Sequence, residues 1–221
     1  MANYHTKSKV EVKGLTARYY DGLINIITFG RYPLFIEEAI GSMKIRSRDR
    51  ILDLGTGTGR NACLMMKYLS KEGELIGVDI SEEMISQFKK KCANFPNAKI
   101  VYTRVDRSLP FGEEFDKVFI SFLLHGFPHN IREKITDNAY KVLKDGGEFH
   151  ILDWNEFYLR LLPFYQRTFF KLIECPYVFD FVRRDWKKIL ANHNFDDFKE
   201  YFFFGGFVRL LKTKKLHRDK I

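Results

Sequence analysis

Three glycines spaced two apart follow a short apolar run in RILDLGTGTGR, residues 50–60. Glycine lets the backbone turn tightly and approach a ligand that a side chain would push away. Asp79 stands 24 residues after Gly55, at the end of the next apolar run, where a carboxylate can accept hydrogen bonds from ribose hydroxyls. Gly55, Gly57, Gly59 and Asp79 together predict a nucleoside site; for the glycines alone, a tight turn without a ligand is the alternative.

The spacing of these glycines bears on which nucleotide the site would take. The dinucleotide fingerprint is G-x-G-x-x-G, but here the third glycine comes one position early, and Arg60 stands where that fingerprint needs glycine. The spacing therefore argues against NAD and makes a nicotinamide oxidoreductase a distant alternative.

His125 is the candidate catalytic residue, because it directly follows the fourth apolar run, FDKVFISFLL. An imidazole titrates near neutral pH and can remove a proton from a substrate. The alternative is a loop histidine that only packs over the cofactor. His129, just before a predicted helix, is interpreted as a capping or surface residue.

Apolar runs alternate with segments of helical periodicity from residue 46 to residue 154. Such alternation predicts βαβ units and a parallel sheet. Ligands of open sheets bind beyond the carboxyl ends of the strands, where the strand order reverses, so the glycine turn belongs at that edge. The predicted strands are 50–55, 73–80, 97–105, 115–124 and 148–154, and the predicted helices between them are 60–70, 81–95 and 130–144.

Outside that core the pattern changes, and the Gly205-Gly206 pair between two apolar runs predicts an antiparallel hairpin. The further predicted elements are two helices within 15–44, a helical segment within 155–181, a helix at 183–195 and strands at 198–204 and 207–213.

A chain of 221 residues is long enough for one domain with a sizeable core. We predict a single α/β domain with a mostly parallel seven-stranded sheet, helices on both faces and an antiparallel hairpin at the end. Its predicted parts are an N-terminal helical cap (1–45), a cofactor-binding core (46–154), an aromatic lid segment (155–181), a C-terminal helix and hairpin (182–213) and a basic tail (214–221).

The net charge of +9 has two interpretations. It is compatible with an anionic partner, either nucleic acid or a lipid surface, and equally with a solvated lysine-rich surface. Much of the excess lies in KTKKLHRDKI at the end of the sequence. The sequence is also compatible with a homodimer.

The three cysteines, Cys63, Cys92 and Cys175, form no CxxC pair and no cluster with metal-ligand spacing. We therefore expect reduced, buried thiols in a cytoplasmic protein, and no metal. The first residues, MANYHTKSKVEVKG, lack the apolar core of a signal peptide. No uncharged apolar run approaches the roughly 18 residues of a spanning helix.

The segment LDLGTGTGR resembles the E/D-x-G-x-G-x-G motif of class I, Rossmann-like S-adenosylmethionine methyltransferases, with Asp53 in the acidic position. The resemblance continues in order through YYDGLINIITFG, GVDISEEMI, SLPFGEEFDKVFISFLL, YKVLKDGGEFHILDW and GGFVRLL. These segments are similar to the ubiquinone and menaquinone C-methyltransferases, which methylate a ring carbon of a prenylated quinol. The glycine motif is shared by many small-molecule methyltransferases, whereas YYDGLINIITFG is more specific to the quinone group.

The resemblance implies S-adenosylmethionine as cofactor and assigns its contacts. Asp79 would hold the ribose and Ile80 would pack on the adenine, while Ser121 matches a cofactor-side serine. The residues that would face the methionine part are Gly55, Thr56, Gly57 and Gly59.

The chain departs from the family at two places. Val105 stands at the usual acidic position near the adenine, so either Asp106 reaches the adenine amino group or Arg107 and backbone groups do so. His125-Gly126 replaces the Arg-Asn pair of the quinone group, which separates the chain from that group at the acceptor side.

Aromatic residues predict a hydrophobic acceptor. Tyr20, Phe157 and Phe164 are candidate substrate contacts, Tyr20 from the N-terminal helix and the other two from the lid segment. Aromatic stripes also anchor helices on a core, and that interpretation is the alternative. An apolar lid flanked by basic residues suits a substrate taken from an anionic membrane surface.

The predicted function is methyl transfer to a small hydrophobic acceptor, with a quinol ring carbon as the candidate. An RNA-modifying methyltransferase is one alternative, although SFLLHGF replaces the N/D-P-P-Y/F motif of enzymes that methylate base amino groups. A non-catalytic protein that keeps the cofactor fold is the other, and the intact glycines and Asp79 argue against it.

Overall fold

The computed structural model describes residues 30, 32–157, 164 and 175–217. The first predicted N-terminal helix, Tyr20, most of the lid segment and the last four residues lie outside these ranges. The expectations for them stay predictions.

Seven strands form one sheet in the order β3-β2-β1-β4-β5-β7-β6. Five strands are parallel, and β7 pairs antiparallel with both β5 and β6. The predicted mostly parallel sheet with a terminal hairpin is confirmed. The strands are β1 (Arg50–Leu54), β2 (Glu74–Asp79), β3 (Ala98–Tyr102), β4 (Phe115–Ser121), β5 (Leu143–Trp154), β6 (Phe195–Phe203) and β7 (Val208–Lys215).

Helices cover both faces of this sheet, as predicted. Successive side chains of a strand point to opposite faces, so Ile51 of β1 belongs to one apolar cluster and Leu52 to the other. The first cluster also takes in α1 (Tyr32–Ser42), α2 (Arg60–Met66) and α3 (Glu82–Lys91). The second takes in α4 (His129–Val142), α5 (Val178–Phe181) and α6 (Trp186–Asn192).

Local capping explains where the crossover helices begin. The Ser81 hydroxyl accepts a hydrogen bond from the Met84 amide at 3.3 Å, and Asp185 caps α6 in the same way through the Lys188 amide at 2.9 Å. Such caps satisfy amides that have no partner within the helix. The predicted fourth strand was too long, because β4 ends at Ser121 and the chain turns into a 3-10 helix at Leu124–Gly126.

The expectation of three reduced thiols is wrong for two of them. Cys63 of α2 and Cys92, the residue after α3, form a disulfide across a sequence separation of 29. The two helices are successive crossovers on the same face of the sheet, so packing brings together residues that no local spacing connects. Cys175 is a buried free thiol, as expected.

A buried ionic cluster links three neighbouring strands. Glu148 of β5 contacts Lys117 of β4, Lys212 of β7 and, at 3.2 Å, Nε2 of His150. Burial lowers the pKa of His150 to about 4 against the opposing pull of Glu148. The imidazole is therefore neutral at physiological pH and donates to Glu148 through Nε2.

We expect the disulfide to stabilise the fold by restricting the unfolded chain. The C63S/C92S double variant is expected to lose about 2–4 kcal/mol of unfolding free energy in urea titration. A thiol reductant should lower the stability of the wild type by a similar amount and leave the double variant unchanged. Equal stability of the wild type with and without reductant would contradict this assignment.

His150 is expected to contribute a loss of stability in acid. Its pKa is near 4 when folded and about 6.5 when unfolded, so the unfolded chain binds more protons between these values. The His150 contribution to stability that is present above pH 6.5 is thus lost as the pH falls toward 4, by about 3 kcal/mol. In urea titrations at both ends of this range, H150Q should lose less stability than the wild type, while H217Q, at an exposed position, should not differ from it.

Candidate active site

The strand order reverses between β1 and β4. On one side of this point lie β1, β2 and β3, and on the other side lie β4 and β5. Open α/β sheets bind ligands at such a point. The ends of β1, β2, β4 and β5 carry the glycine turn, Asp79, Ser121 and Asp153.

The glycine turn has no room for side chains at two of its three glycines. Gly55 has φ 70°, and a Cβ there would lie 2.3 Å from Cδ2 of Leu123; Gly59 has φ 80°, and its Cβ would lie 2.7 Å from Cδ2 of Phe88. At Gly57, with φ 57°, an added Cβ would meet nothing within 4 Å. Protein packing accounts for Gly55 and Gly59, and the open side of the turn is at Gly57.

Asp53 of β1 stabilises the glycine turn through a hydrogen bond with Thr56. Its side chain is buried, and its Oδ2 accepts a hydrogen bond from the Thr56 hydroxyl at 2.6 Å. Burial raises the pKa of Asp53 to about 7, opposed by the Thr56 bond and increased further by the charge of Asp79. The geometry shows Asp53 shaping the turn, and its predicted role in cofactor binding stays a prediction.

The Asp79 carboxylate joins the turn to the start of α3. It accepts hydrogen bonds from the backbone amides of Gly57 at 2.9 Å, Ile80 at 2.8 Å and Ser81 at 2.9 Å. Asp79 and Ile80 are half-buried, next to the open side of the turn. This position suits the predicted ribose and adenine contacts.

The loop after β3 explains the departure from the acidic family position. Val105 is buried in the apolar core, so the carboxylate comes one residue later. Arg104 holds Asp106 through two hydrogen bonds of 2.9 and 2.8 Å, and Arg107 is exposed. Asn138 of α4 fixes the loop by donating to the carbonyls of Val105 and Arg107.

Sequence reasoning missed Asn61, which lies beside the predicted cofactor-side serine. Its Nδ2 donates to Oγ of Ser121 at 3.1 Å, and in the described part of the chain its buried Oδ1 has no hydrogen-bond partner. A polar residue in the first turn of the helix after the glycines was the available signal.

His125 lies in the 3-10 turn after β4 and is held by Asp153 at the end of β5. Its Nδ1 is 2.7 Å from Oδ1 of Asp153, and its backbone amide donates to Oδ2 at 3.1 Å. Because an ionised carboxylate only accepts, Nδ1 carries the proton and Nε2 is the basic nitrogen. Asp153 was missed, although it ends the fifth strand of the sequence as Asp79 ends the second.

Aromatic side chains lie on the acceptor side of His125. Phe181 meets the His125 ring edge-on with the ring centroids 6.3 Å apart, and Phe157 meets Phe207 at 5.4 Å. The Phe157 amide donates to the carbonyl of Val182 at 2.9 Å. Phe164 is 75% exposed, so its role as a substrate contact stays a prediction.

Two kinds of feature are absent from the described residues. None of their helices has the length and apolar character needed to cross a bilayer. Within the same residues, no group of three or more histidine, cysteine or acidic side chains is arranged to hold a metal ion.

Residues 51–147 match the family model described as a methyltransferase domain. This match covers the glycine turn, Asp79 and the loop of His125. Together with the sheet order, this match makes the core of the chain similar to class I methyltransferase domains, whose cofactor is S-adenosylmethionine.

The relatives of this domain include enzymes of the quinone group. A demethylmenaquinone methyltransferase from Symbiobacterium thermophilum is 29% identical over 168 residues, 72% of this chain and 65% of that protein. One from Staphylococcus aureus is 30% identical over 158 residues, 71% of this chain and 64% of that protein. The matched part thus spans less than two thirds of the length of these relatives.

The fold is also similar to solved structures. A crystal structure of an S-adenosylmethionine-dependent methyltransferase from Aquifex aeolicus superposes with a TM-score of 0.61 at 17% identity, covering 82% of this chain and 89% of the other. At that identity the similarity concerns the fold.

Removing the Asp79 carboxylate should weaken cofactor binding. We expect D79A to bind S-adenosylhomocysteine at least tenfold more weakly in calorimetry, because a hydrogen bond to a charged group contributes about 1.5–3 kcal/mol. D116A, which removes a carboxylate from the amino end of β4, is the control and should bind as the wild type does. An unchanged dissociation constant for D79A would contradict the ribose assignment.

Proposed function

We propose that this chain methylates a ring carbon of an apolar quinol, with His125 as the general base. The observation that carries the proposal is the His125–Asp153 pair, in which a buried carboxylate fixes both the ring and the backbone of the histidine. The names of the quinone-group relatives support the acceptor class.

Methyl transfer from a sulfonium is an in-line displacement, so the protein supplies alignment and exclusion of water. A carbon acceptor also needs to lose a proton. In the proposed reaction, Nε2 of His125 removes the hydroxyl proton of the quinol, and electron density moves to the neighbouring ring carbon. That carbon forms the new bond to the methyl group while the sulfur–methyl bond breaks. The ring carbon then loses its hydrogen as a proton to water, and the ring oxygen takes a proton back from the His125 imidazolium. The products are a methylated quinol, S-adenosylhomocysteine and one released proton.

Asp153 has a defined part in this scheme. By accepting from Nδ1 it selects the tautomer with a basic Nε2, and it stabilises the imidazolium that forms when the proton arrives. An arginine, which the quinone group carries at this place, cannot take the proton in this way. The departure at His125-Gly126 therefore supports a different route of deprotonation, and the acceptor class rests on the names of the relatives.

The surroundings support an apolar acceptor collected from a lipid surface. Leu34, Phe202 and Phe204 are 73%, 55% and 39% exposed, on α1 and at the hairpin end that lies beside the carboxyl end of β5. Exposed apolar side chains at one edge are typical of contact with another apolar surface.

The basic residues of β7 give little support to an RNA substrate. Each of them is paired with an acid from another strand or loop: Arg209 with Glu200, Lys212 with Glu148, Lys214 with Asp197 and Lys215 with Glu113. Charges neutralised in this way do not form the basic groove that phosphate binding needs.

The test uses a short-chain prenylated naphthoquinol, reduced before addition, and labelled S-adenosylmethionine. H125N should bind S-adenosylhomocysteine as the wild type does and lose about 10²–10⁴-fold in kcat, the usual share of a general base. D153N should lose activity in the same direction, while H129Q is the control and should keep full turnover.

Two results would contradict the proposal. Full turnover of H125N on the naphthoquinol would show that the acceptor ionises without this base. Methylation of a phenol oxygen or of an RNA transcript by the wild type, without methylation of the naphthoquinol, would overturn the acceptor class.

A further inference from the structure

Arg132 is a charged residue with no exposed surface. It lies in the first turn of α4 and is among the largest fully buried side chains, at 0% exposure. Guanidinium groups are almost never buried unless their donors are used. The partners of Arg132 therefore indicate why it is there.

Those partners belong to the two segments that flank the acceptor side. Towards the turn after β4, Arg132 donates from Nε to the carbonyl of Leu124 and from Nη2 to that of His125, both at 3.2 Å. Towards residues 175–184, here called the wall segment, it donates from Nη2 to the carbonyl of Tyr177 at 2.6 Å and from Nη1 to Oδ2 of Asp180 at 2.8 Å.

The same two segments also meet at Phe181 of the wall segment. The guanidinium carbon of Arg132 lies 5.2 Å from the Phe181 ring centroid. The His125 ring contacts the same Phe181 ring edge-on. His125 is thus fixed from two sides: Asp153 holds its imidazole and amide, and Arg132 holds its carbonyl.

We propose that Arg132 is a positioning residue that couples His125 to the wall segment beside the acceptor. The planar guanidinium presents five donors in a fixed fork, and this geometry lets one side chain bind both segments at once. A displacement of the wall segment then moves the backbone of His125. The inference rests on the proposed role of His125 in the reaction.

A neighbouring ion pair supplies a matched control. Arg184 also binds Asp180, with its Nε 2.7 Å from the same Oδ2 that Arg132 contacts, and its side chain is partly exposed. R184Q removes a cation from Asp180 but leaves Arg132 and all its contacts. D180N removes the charge that Arg132 binds and leaves the carbonyl contacts.

The first measurement needs no acceptor. The proton on Nδ1 of His125, bound to Asp153, should give a low-field proton NMR signal that is absent in H125N. R132K keeps the charge but not the fork, so we expect this signal to shift or broaden in R132K, while S-adenosylhomocysteine binds as in the wild type.

The second measurement is turnover of the prenylated naphthoquinol. We expect R132K to lose at least tenfold in kcat, D180N to show a several-fold higher acceptor KM together with a lower kcat, and R184Q to match the wild type. If R132K does not fold, D180N decides, because Asp180 is half exposed.

The coupling would be overturned if folded R132K had the wild-type signal, kcat and KM. If R132K does not fold, the same values in D180N would overturn it, and Arg132 would then have a structural role only. Full turnover of H125N together with a shifted signal in R132K would contradict the role of His125 as a base. It would still support the role of Arg132 in positioning His125, so the two proposals fail separately.

Discussion

The parallel pairing of β1 with β2 on one side and with β4 on the other is the constraint on which the site depends. It brings the carboxyl ends of β1, β2, β4 and β5 to one edge of the sheet. These ends carry the glycine turn, Asp79, Ser121 and Asp153. The predicted cofactor contacts lie at the ends of β1 and β2, with Ser121 at the end of β4, and the proposed acceptor side lies at the ends of β4 and β5. The chemistry is therefore divided across the reversal in strand order, with the methyl group expected where the two halves meet.

Three carboxylates at this edge are buried to different degrees and satisfied in different ways. Asp53 has one short hydrogen bond from Thr56, and its pKa rises to about 7. Asp79 is surrounded by backbone amides that favour its charge. Asp153 binds the ring and amide of His125 and the amide of Trp154. The first shapes a turn, the second is suited to hydroxyl groups of a sugar, and the third can balance a positive imidazolium.

The features that the sequence predicted correctly are those set by residues close together in the chain. The glycine turn and the position of Asp79 at a strand end are local patterns, and the structure has them where they were expected. The His125–Asp153 pair spans 28 residues, and the Cys63–Cys92 disulfide spans 29; both need the order of strands and helices in space. From the sequence, Arg132 is interpreted as a solvent-exposed charge near the start of a helix, because the residues next to it in the chain do not indicate that it is buried. The shift from Val105 to Asp106 depends on which of two adjacent side chains enters the core.

The disulfide has a topological consequence for the cofactor half. Residues 63 to 92 form a closed covalent ring that contains β2, Asp79 and α3. A protease that cuts the exposed turn between α2 and β2 opens this ring without releasing a fragment, because the bridge still joins both pieces. Asp79 and the start of α3 thus lie inside a covalently closed loop, whereas the glycine turn lies outside it. Among the described residues, the proposed acceptor side has no such bond, and Arg132 joins its two segments through hydrogen bonds alone.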